Sequence, residues 1–239
     1  MLYEGGSVVA SIVSVEELKR QASAKAVEFV HDGMVVGLGS GTTARYATLR
    51  LAELLRAGAL RDIVAVPTSE ETATLARQEG IPLTTLEIHG QLDVTIDGAD
   101  EVDPDLNVIK GLGGFLLREK IVAYASLQEI IVVDDSKLVE LLGTKSPVPV
   151  EVIRFGWRNT QRALERTGAD PILRCVNGEP YVTDEGNFIL DCRYPGIANP
   201  RELEAQINSI PGVVENGLFL GMVHTVAVAS ANSVRIIER

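Results

Sequence analysis

Hydrophobic and polar positions along the chain change period at regular intervals. MVVGLG, IVAVPT, IPLTTLE, LDVTIDG and EIIVVD are short apolar runs rich in β-branched residues, and each predicts a buried strand. Helical spacing fills the gaps between them. Leu18, Ala22, Ala26 and Phe29 share one helical face in a helix expected to run from Ser14 to about His31. Ser14 is its expected N-cap, with Glu17 at the capping-box position. A turn at Asp32-Gly33 follows. GTTARYATLRLAELLRAG predicts a second helix ending at Gly58, and SEETATLARQEG a third, capped by Ser69. A further helix is expected from Leu116 to about Ser126. Strands apolar on both sides, separated by helices, predict a parallel sheet covered on both faces.

The rhythm changes near Pro147. VPVEVI, PILRCV, NFILDCRY and VVENGLFL read as strands, with helices RNTQRALERTG and NPRELEAQINSI between them. That order is β-α-β-β-α-β, the ferredoxin-like arrangement. HTVAVASANSVRIIER is strand-like again and is expected to return to the first sheet. The fold expected is therefore α/β. A parallel-sheet, Rossmann-like main domain comprises residues 1–146 with 216–239, and a ferredoxin-like (βαββαβ) small domain is inserted at 147–215.

Composition narrows the function. A formal net charge of −11 argues against nucleic acid or an anionic membrane as a partner, since both demand a basic face. Cys175 and Cys192 lack metal-ligand spacing and read as two small core thiols, and the three histidines are scattered. No metal or cofactor is expected from these patterns, and a reducing, cytoplasmic setting fits them. Glu4 stands where a secretory signal would carry positive charge, so residues 1–13 read as a poorly ordered or loosely docked extension.

Four segments carry candidate chemistry, and each follows an expected strand, where open α/β sheets bind ligands. In VVGLGSGTTA, glycines precede a helix start bearing Ser40, Gly41, Thr42 and Thr43, a setting that favours a phosphate. The same stretch satisfies a dinucleotide fingerprint at Gly39, Gly41 and Ala44, and a plain glycine turn also stays open. Asp97 and Asp100 flank Gly98-Ala99 at a strand end, whereas Asp103 and Asp105 read as a solvated acidic turn. In KGLGGFLLREK, Lys110 precedes a loop of Gly111, Leu112, Gly113 and Gly114 whose amides can meet developing negative charge. Glu119 lies in the following helix, either as a site carboxylate or as an exposed residue between Arg118 and Lys120. Lys137 in VVDDSK could neutralise a ligand or pair with Asp134 or Asp135.

Taken in order, GLGSGTTA, VPTSE, DGADEVD, KGLGGFLLREK, DDSK and SPVPVEV, then TDEGNFILD and IPGVVENGLF, resemble ribose-5-phosphate isomerase of the A type from about Ser14 onward. The resemblance implies an aldose–ketose isomerase of the pentose phosphate pathway, without cofactor or metal, assembled as a homodimer or homotetramer through the small domain. It implies Glu119 as catalytic base, with Asp97, Asp100 and Lys110 beside it. The substrate contacts it implies are Lys19, Ser40, Gly41, Thr42, Thr43, Gly98, Ala99, Gly111, Leu112, Gly113 and Lys137. Leu112 stands where relatives carry glycine, and Phe115 where they carry a small residue that Phe115 would outsize, narrowing the pocket. The other readings are a sugar-phosphate sensor, an amino-sugar phosphate deaminase, a coenzyme A transferase and a nucleotide-dependent dehydrogenase.

Overall fold

A computed structural model describes residues 14–239, and the extension expected at 1–13 lies outside them. Ser14 caps α1 (Val15–Val27), its hydroxyl accepting from Glu17 N at 3.2 Å. The helix stops before His31 because Phe29 N and Val30 N bond to the carbonyls of Ala26 and Val27, tightening the chain into a turn. β1 (Val35–Leu38), α2 (Gly41–Arg56), β2 (Val64–Pro67) and α3 (Glu70–Gln78) follow as two strand–helix units. Ser69 caps α3 by accepting from Thr72 N at 3.0 Å.

IPLTTLE does not form the expected strand. It touches β2 through one bridge, Ala65 to Leu83, because Pro82 has no N–H to extend the ladder. Next come β3 (Val94–Gly98), the short β4 (Glu101–Val102) and β5 (Val108–Ile109), α4 (Leu116–Tyr124) and β6 (Glu129–Asp134).

The chain then builds β7 (Val148–Val152), α5 (Trp157–Glu165), β8 (Asp170–Leu173), the ribbon β9 (Cys175–Val176) and β10 (Glu179–Pro180), β11 (Phe188–Arg193), α6 (Pro200–Asn208) and β12 (Val213–Asn216). These strands make an antiparallel sheet in the order β12-β7-β11-β8, the order a βαββαβ unit gives. Cys192 is buried there, but Cys175 is exposed: it lies in the two-stranded ribbon outside the sheet, and both thiols are free. The run VVENGLFL splits at Gly217 into β12 and β13 (Leu218–Phe219). A side chain at 217 would lie 2.3 Å from the Lys110 carbonyl, so the chain crosses there as glycine and changes sheet. β13 joins β5 and β4 in a small antiparallel sheet, and β14 (Thr225–Ser230) and β15 (Ser233–Glu238) close the chain.

The main sheet has the order β15-β14-β6-β3-β1-β2, parallel except for β15. From β1 the chain goes to one side as β2 and returns on the other as β3. This order reversal opens a crevice at the carboxyl ends of β1 and β3. Ile96, Ile130 and Val132 point to α1 and α2, while Ile131 and Val133 point to the face that holds Ala123 of α4 and Phe219. Among the described residues, no helix is long and apolar enough to cross a membrane.

Glu101 ties the two halves together. It is fully buried and accepts from the amides of Gly143 (2.6 Å), Lys145 (2.6 Å) and Ser146 (2.5 Å), fixing the segment that leads to β7. Glu101→Ala strands three donors, each bonded to a charged acceptor. Denaturant unfolding should report a loss of at least about 3 kcal/mol. A smaller loss would mean that the segment finds other partners.

Candidate active site

The site is built where four chain turns meet above the crevice. β1 delivers Gly39 and Ser40. β3 ends in Asp97-Gly98, β5 runs into Lys110, and α4 carries Glu119. A cavity of about 240 Å³ there is lined by Lys19, Ser40, Gly41, Thr42, Thr43, Gly98, Ala99, Asp100, Lys110, Gly111, Gly113, Glu119 and Lys137. Every one of these is a residue the sequence singles out. A wider groove of about 620 Å³ between α3, α4 and residues 83–88 is mostly apolar, and its Glu70 and Arg118 are already paired with each other at 2.9 Å. The smaller cavity therefore has the stronger chemical claim.

Asp97 lies beneath this cavity rather than in its wall. It is 1% exposed, and its Oδ1 accepts from Ser40 N (3.2 Å) and Gly98 N (2.7 Å). Gly39 makes this possible, because a Cβ there would fall 2.2 Å from Asp97 Oδ1. Oδ2 pairs with Lys110 Nζ at 2.9 Å, and the same ammonium donates to Gly98 O and lies 3.5 Å from Glu119 Oε2. Phe219 places its ring 5.5 Å from Lys110 Nζ and 5.0 Å from Lys120 Nζ.

Glu119 is buried, and its Oε2 has no hydrogen-bond partner. Burial and the negative charge of Asp97 push its carboxyl up to about 8 against the pull of Lys110. The reading of Glu119 as an exposed helix residue is thereby overturned. Burial alone would lower Lys110, but Asp97, Glu119 and Glu129 outweigh it and hold the ammonium above its ordinary value. Burial raises Asp97, opposed first by Lys110, and it raises Asp100, opposed by the Leu112 amide.

The first loop offers an anion seat. No side chain caps α2, so its first-turn amides stay available at the cavity wall beside Thr42 and Thr43. Lys19 reaches over from α1 and donates to Thr42 Oγ1 at 2.7 Å. The Ser40 hydroxyl turns inward instead, into a cluster with those of Thr68 (2.7 Å), Ser69 (2.7 Å) and Thr72 (3.1 Å). Lys137 lines the far side, while Asp134 is occupied by Ser136 rather than by this lysine.

Two expectations change. Leu112 does not line the cavity: its side chain is 41% exposed and its amide donates to Asp100 Oδ2 at 3.0 Å. Phe115 does not narrow the cavity either. The chain turns at Gly114 (φ +94°), and Phe115 instead lines a neighbouring recess with Thr68, Leu117 and Glu151. Glu70, just beyond β2 where a dinucleotide fold would present its ribose-binding acid, is held by Arg118 at 2.9 Å.

Sequence reasoning missed Glu129. It opens β6 on the face that carries Asp97, is fully buried, and has no hydrogen-bond partner at either oxygen. Burial first, then Asp97, hold it well above the ordinary carboxylate value. A polar residue opening an apolar strand was its only visible signal. Folded Glu129 therefore binds a proton that the unfolded chain has released, so stability falls as pH rises above the ordinary carboxylate range. Glu129→Gln removes this slope. Urea titrations should show the variant's advantage growing from pH 5 to pH 8, by up to about 1.4 kcal/mol per pH unit. Parallel pH profiles would show that Glu129 ionises normally.

Comparison with known proteins agrees with this geometry. The sequence profile of ribose 5-phosphate isomerase A (phosphoriboisomerase A) matches residues 64–233. The ribose-5-phosphate isomerase A of Gloeobacter violaceus is 55% identical over 94% of this chain and 97% of its own. That of Thermococcus kodakarensis is 45% identical over 95% of this chain and 100% of its own. Among solved structures, a D-ribose-5-phosphate isomerase in complex with phospho-erythronic acid superposes with a TM-score of 0.93 at 43% identity, covering 95% of this chain and 100% of that one. The Methanocaldococcus jannaschii enzyme gives 0.90 at 41% identity, with the same coverage. With a profile spanning most of its length and relatives matched nearly end to end, this chain belongs to the ribose 5-phosphate isomerase A family.

Proposed function

We propose that this chain interconverts D-ribose 5-phosphate and D-ribulose 5-phosphate through an enediolate, with Glu119 carrying the proton between C2 and C1. The observation that carries the reading is a buried carboxylate with one free oxygen, 3.5 Å from a lysine and beside a phosphate-sized anion seat. The phosphate would sit on Thr42, Thr43 and the first-turn amides of α2, with Lys19 and Lys137 closing around it. The open sugar chain would then run toward Glu119.

Glu119, as carboxylate, removes the C2 proton of the aldose. The electron pair moves into the C1–C2 bond, and charge develops on the carbonyl oxygen at C1. Lys110 and the Gly113 amide would hold that charge, an effect worth about 3 kcal/mol per donor in other enzymes. Protonated Glu119 returns the proton to C1 as the electrons collapse to a carbonyl at C2. Asp100 would take the proton from the C2 hydroxyl and deliver it to the C1 oxygen, held for this by the Leu112 amide. Asp97 keeps Lys110 charged and in place. Family members' printed names support this substrate, as does the phospho-erythronic acid bound to one relative, whose carboxylate distributes charge over two oxygens as an enediolate does.

The exposed Ile153, Phe155 and Ile172 of the small domain support assembly into a homodimer or homotetramer, which sedimentation would measure.

Glu119→Gln should lower kcat by at least about 100-fold with little change in KM, measured as ribulose 5-phosphate formation. Near-native turnover by the pure variant would remove Glu119 from the role. Only the ionised carboxyl accepts a proton, so kcat/KM of the native enzyme should rise with pH and level off above about 8. A profile flat from pH 6.5 to 9 would contradict that assignment.

A further inference from the structure

Arg174 belongs to the small domain and comes from a segment without any sequence motif. Its side chain is 12% exposed and its guanidinium forks onto Asp191 of β11, with Nε 2.9 Å from Oδ2 and Nη2 on Oδ1. The remaining reach goes into the other half of the molecule. Nη1 donates to the carbonyls of Gly111 and Leu112, both at 2.9 Å.

Those two carbonyls belong to successive peptide planes of the loop after Lys110. In a trans peptide the C=O of one residue and the N–H of the next point in opposite directions. Holding the Gly111 carbonyl against Arg174 therefore turns the Leu112 N–H away from it, and that N–H meets Asp100 Oδ2 at 3.0 Å. Holding the Leu112 carbonyl does the same for the N–H of Gly113, a residue of the cavity wall. The far end of the loop is braced by the same hairpin. Tyr181 N donates to Arg174 O at 2.9 Å, and the Tyr181 hydroxyl packs so closely on Gly114 that a Cβ there would lie 2.3 Å from it.

We propose that Arg174, anchored by Asp191, is a positioning residue that fixes the orientation of the peptide planes at 111–113, aiming the Gly113 amide at substrate and the Leu112 amide at Asp100. The inference rests on the reading of this loop as the acceptor of enediolate charge. Lysine cannot replace arginine here, because a single ammonium cannot span a bidentate carboxylate and two carbonyls.

Arg174→Lys and Arg174→Met test this in the full-length protein, with Asp191→Asn as a milder variant that keeps the guanidinium but loosens its anchor. Two ligands separate the contributions: phospho-erythronic acid, which carries a carboxylate, and ribitol 5-phosphate, which carries only hydroxyls beside its phosphate. The expected result is a drop in kcat of about tenfold or more for both Arg174 variants, with KM within about twofold. Phospho-erythronic acid should weaken in parallel while ribitol 5-phosphate holds, and Asp191→Asn should fall between. A purely structural role would lower Tm and leave the ratio of the two affinities unchanged, which overturns the inference, as does native kcat in a folded Arg174→Lys protein. If the native enzyme itself fails to prefer the carboxylate ligand, the charge-holding role of the loop fails first. Should Arg174→Met not fold, Arg174→Lys and Asp191→Asn decide the question alone.

Discussion

One ammonium group holds this molecule's chemistry together. Lys110 sits in a dry space with Asp97 at 2.9 Å, Glu119 at 3.5 Å and the Gly98 carbonyl against it. A buried cation without these partners would release its proton, and buried carboxylates without the cation would bind one. The arrangement is asymmetric in a useful way. Asp97 has two backbone donors in addition to Lys110 and serves as the fixed counter-ion. Glu119 has fewer partners and a raised affinity for a proton, which suits the proton-carrying role proposed for it.

The fold exists to bring these groups from distant positions to one point. The order reversal between β1 and β3 opens the crevice, and close packing at Gly39 lets Asp97 reach the first loop. The small antiparallel sheet of β4, β5 and β13 fixes Lys110 from below, with Lys110 N bonded to Gly217 O at 2.9 Å. The segment from β7 to β12 contributes through side chains at its edge, as Arg174 does on the glycine loop and Asp184 and Glu185 do on Arg118 of α4. It braces elements that line the cavity without lining the cavity itself, and neither sheet continues into the other.

Legibility in the sequence followed the range of the interactions. Elements set by local rules were readable: Ser14 and Ser69 as caps, the apolar runs of β1, β3 and β6, and the helix begun by Asn199-Pro200. Most of the cavity residues were readable because they sit in the turns and helix starts that follow strands, where chain order and motif coincide; Lys19 and Glu119, within α1 and α4, were reached through the family resemblance. IPLTTLE misled because its period suits a strand, while Pro82 withholds a donor that no periodicity reveals. VVENGLFL misled because the reason for its break at Gly217 is a carbonyl more than a hundred residues upstream. Leu112 was carried over as a substrate contact and Phe115 was judged by size, but backbone direction placed both outside the cavity. Glu129 and Arg174 meet partners far away in sequence, so local pattern marked the first only faintly and the second not at all.

The position of β14 also bears on how the protein is made. During synthesis β1, β2, β3 and β6 emerge first, and the whole inserted domain can fold before the last strands leave the ribosome. Until then β6, six buried residues long, presents a bare parallel edge, since its outer neighbour is β14 from the final fifteen residues. The nascent protein thus carries a sticky hydrophobic border through the later part of translation. A stop codon upstream of residue 225 would leave it uncovered permanently, yielding a product prone to clumping even though every side chain lining the candidate cavity had already been made.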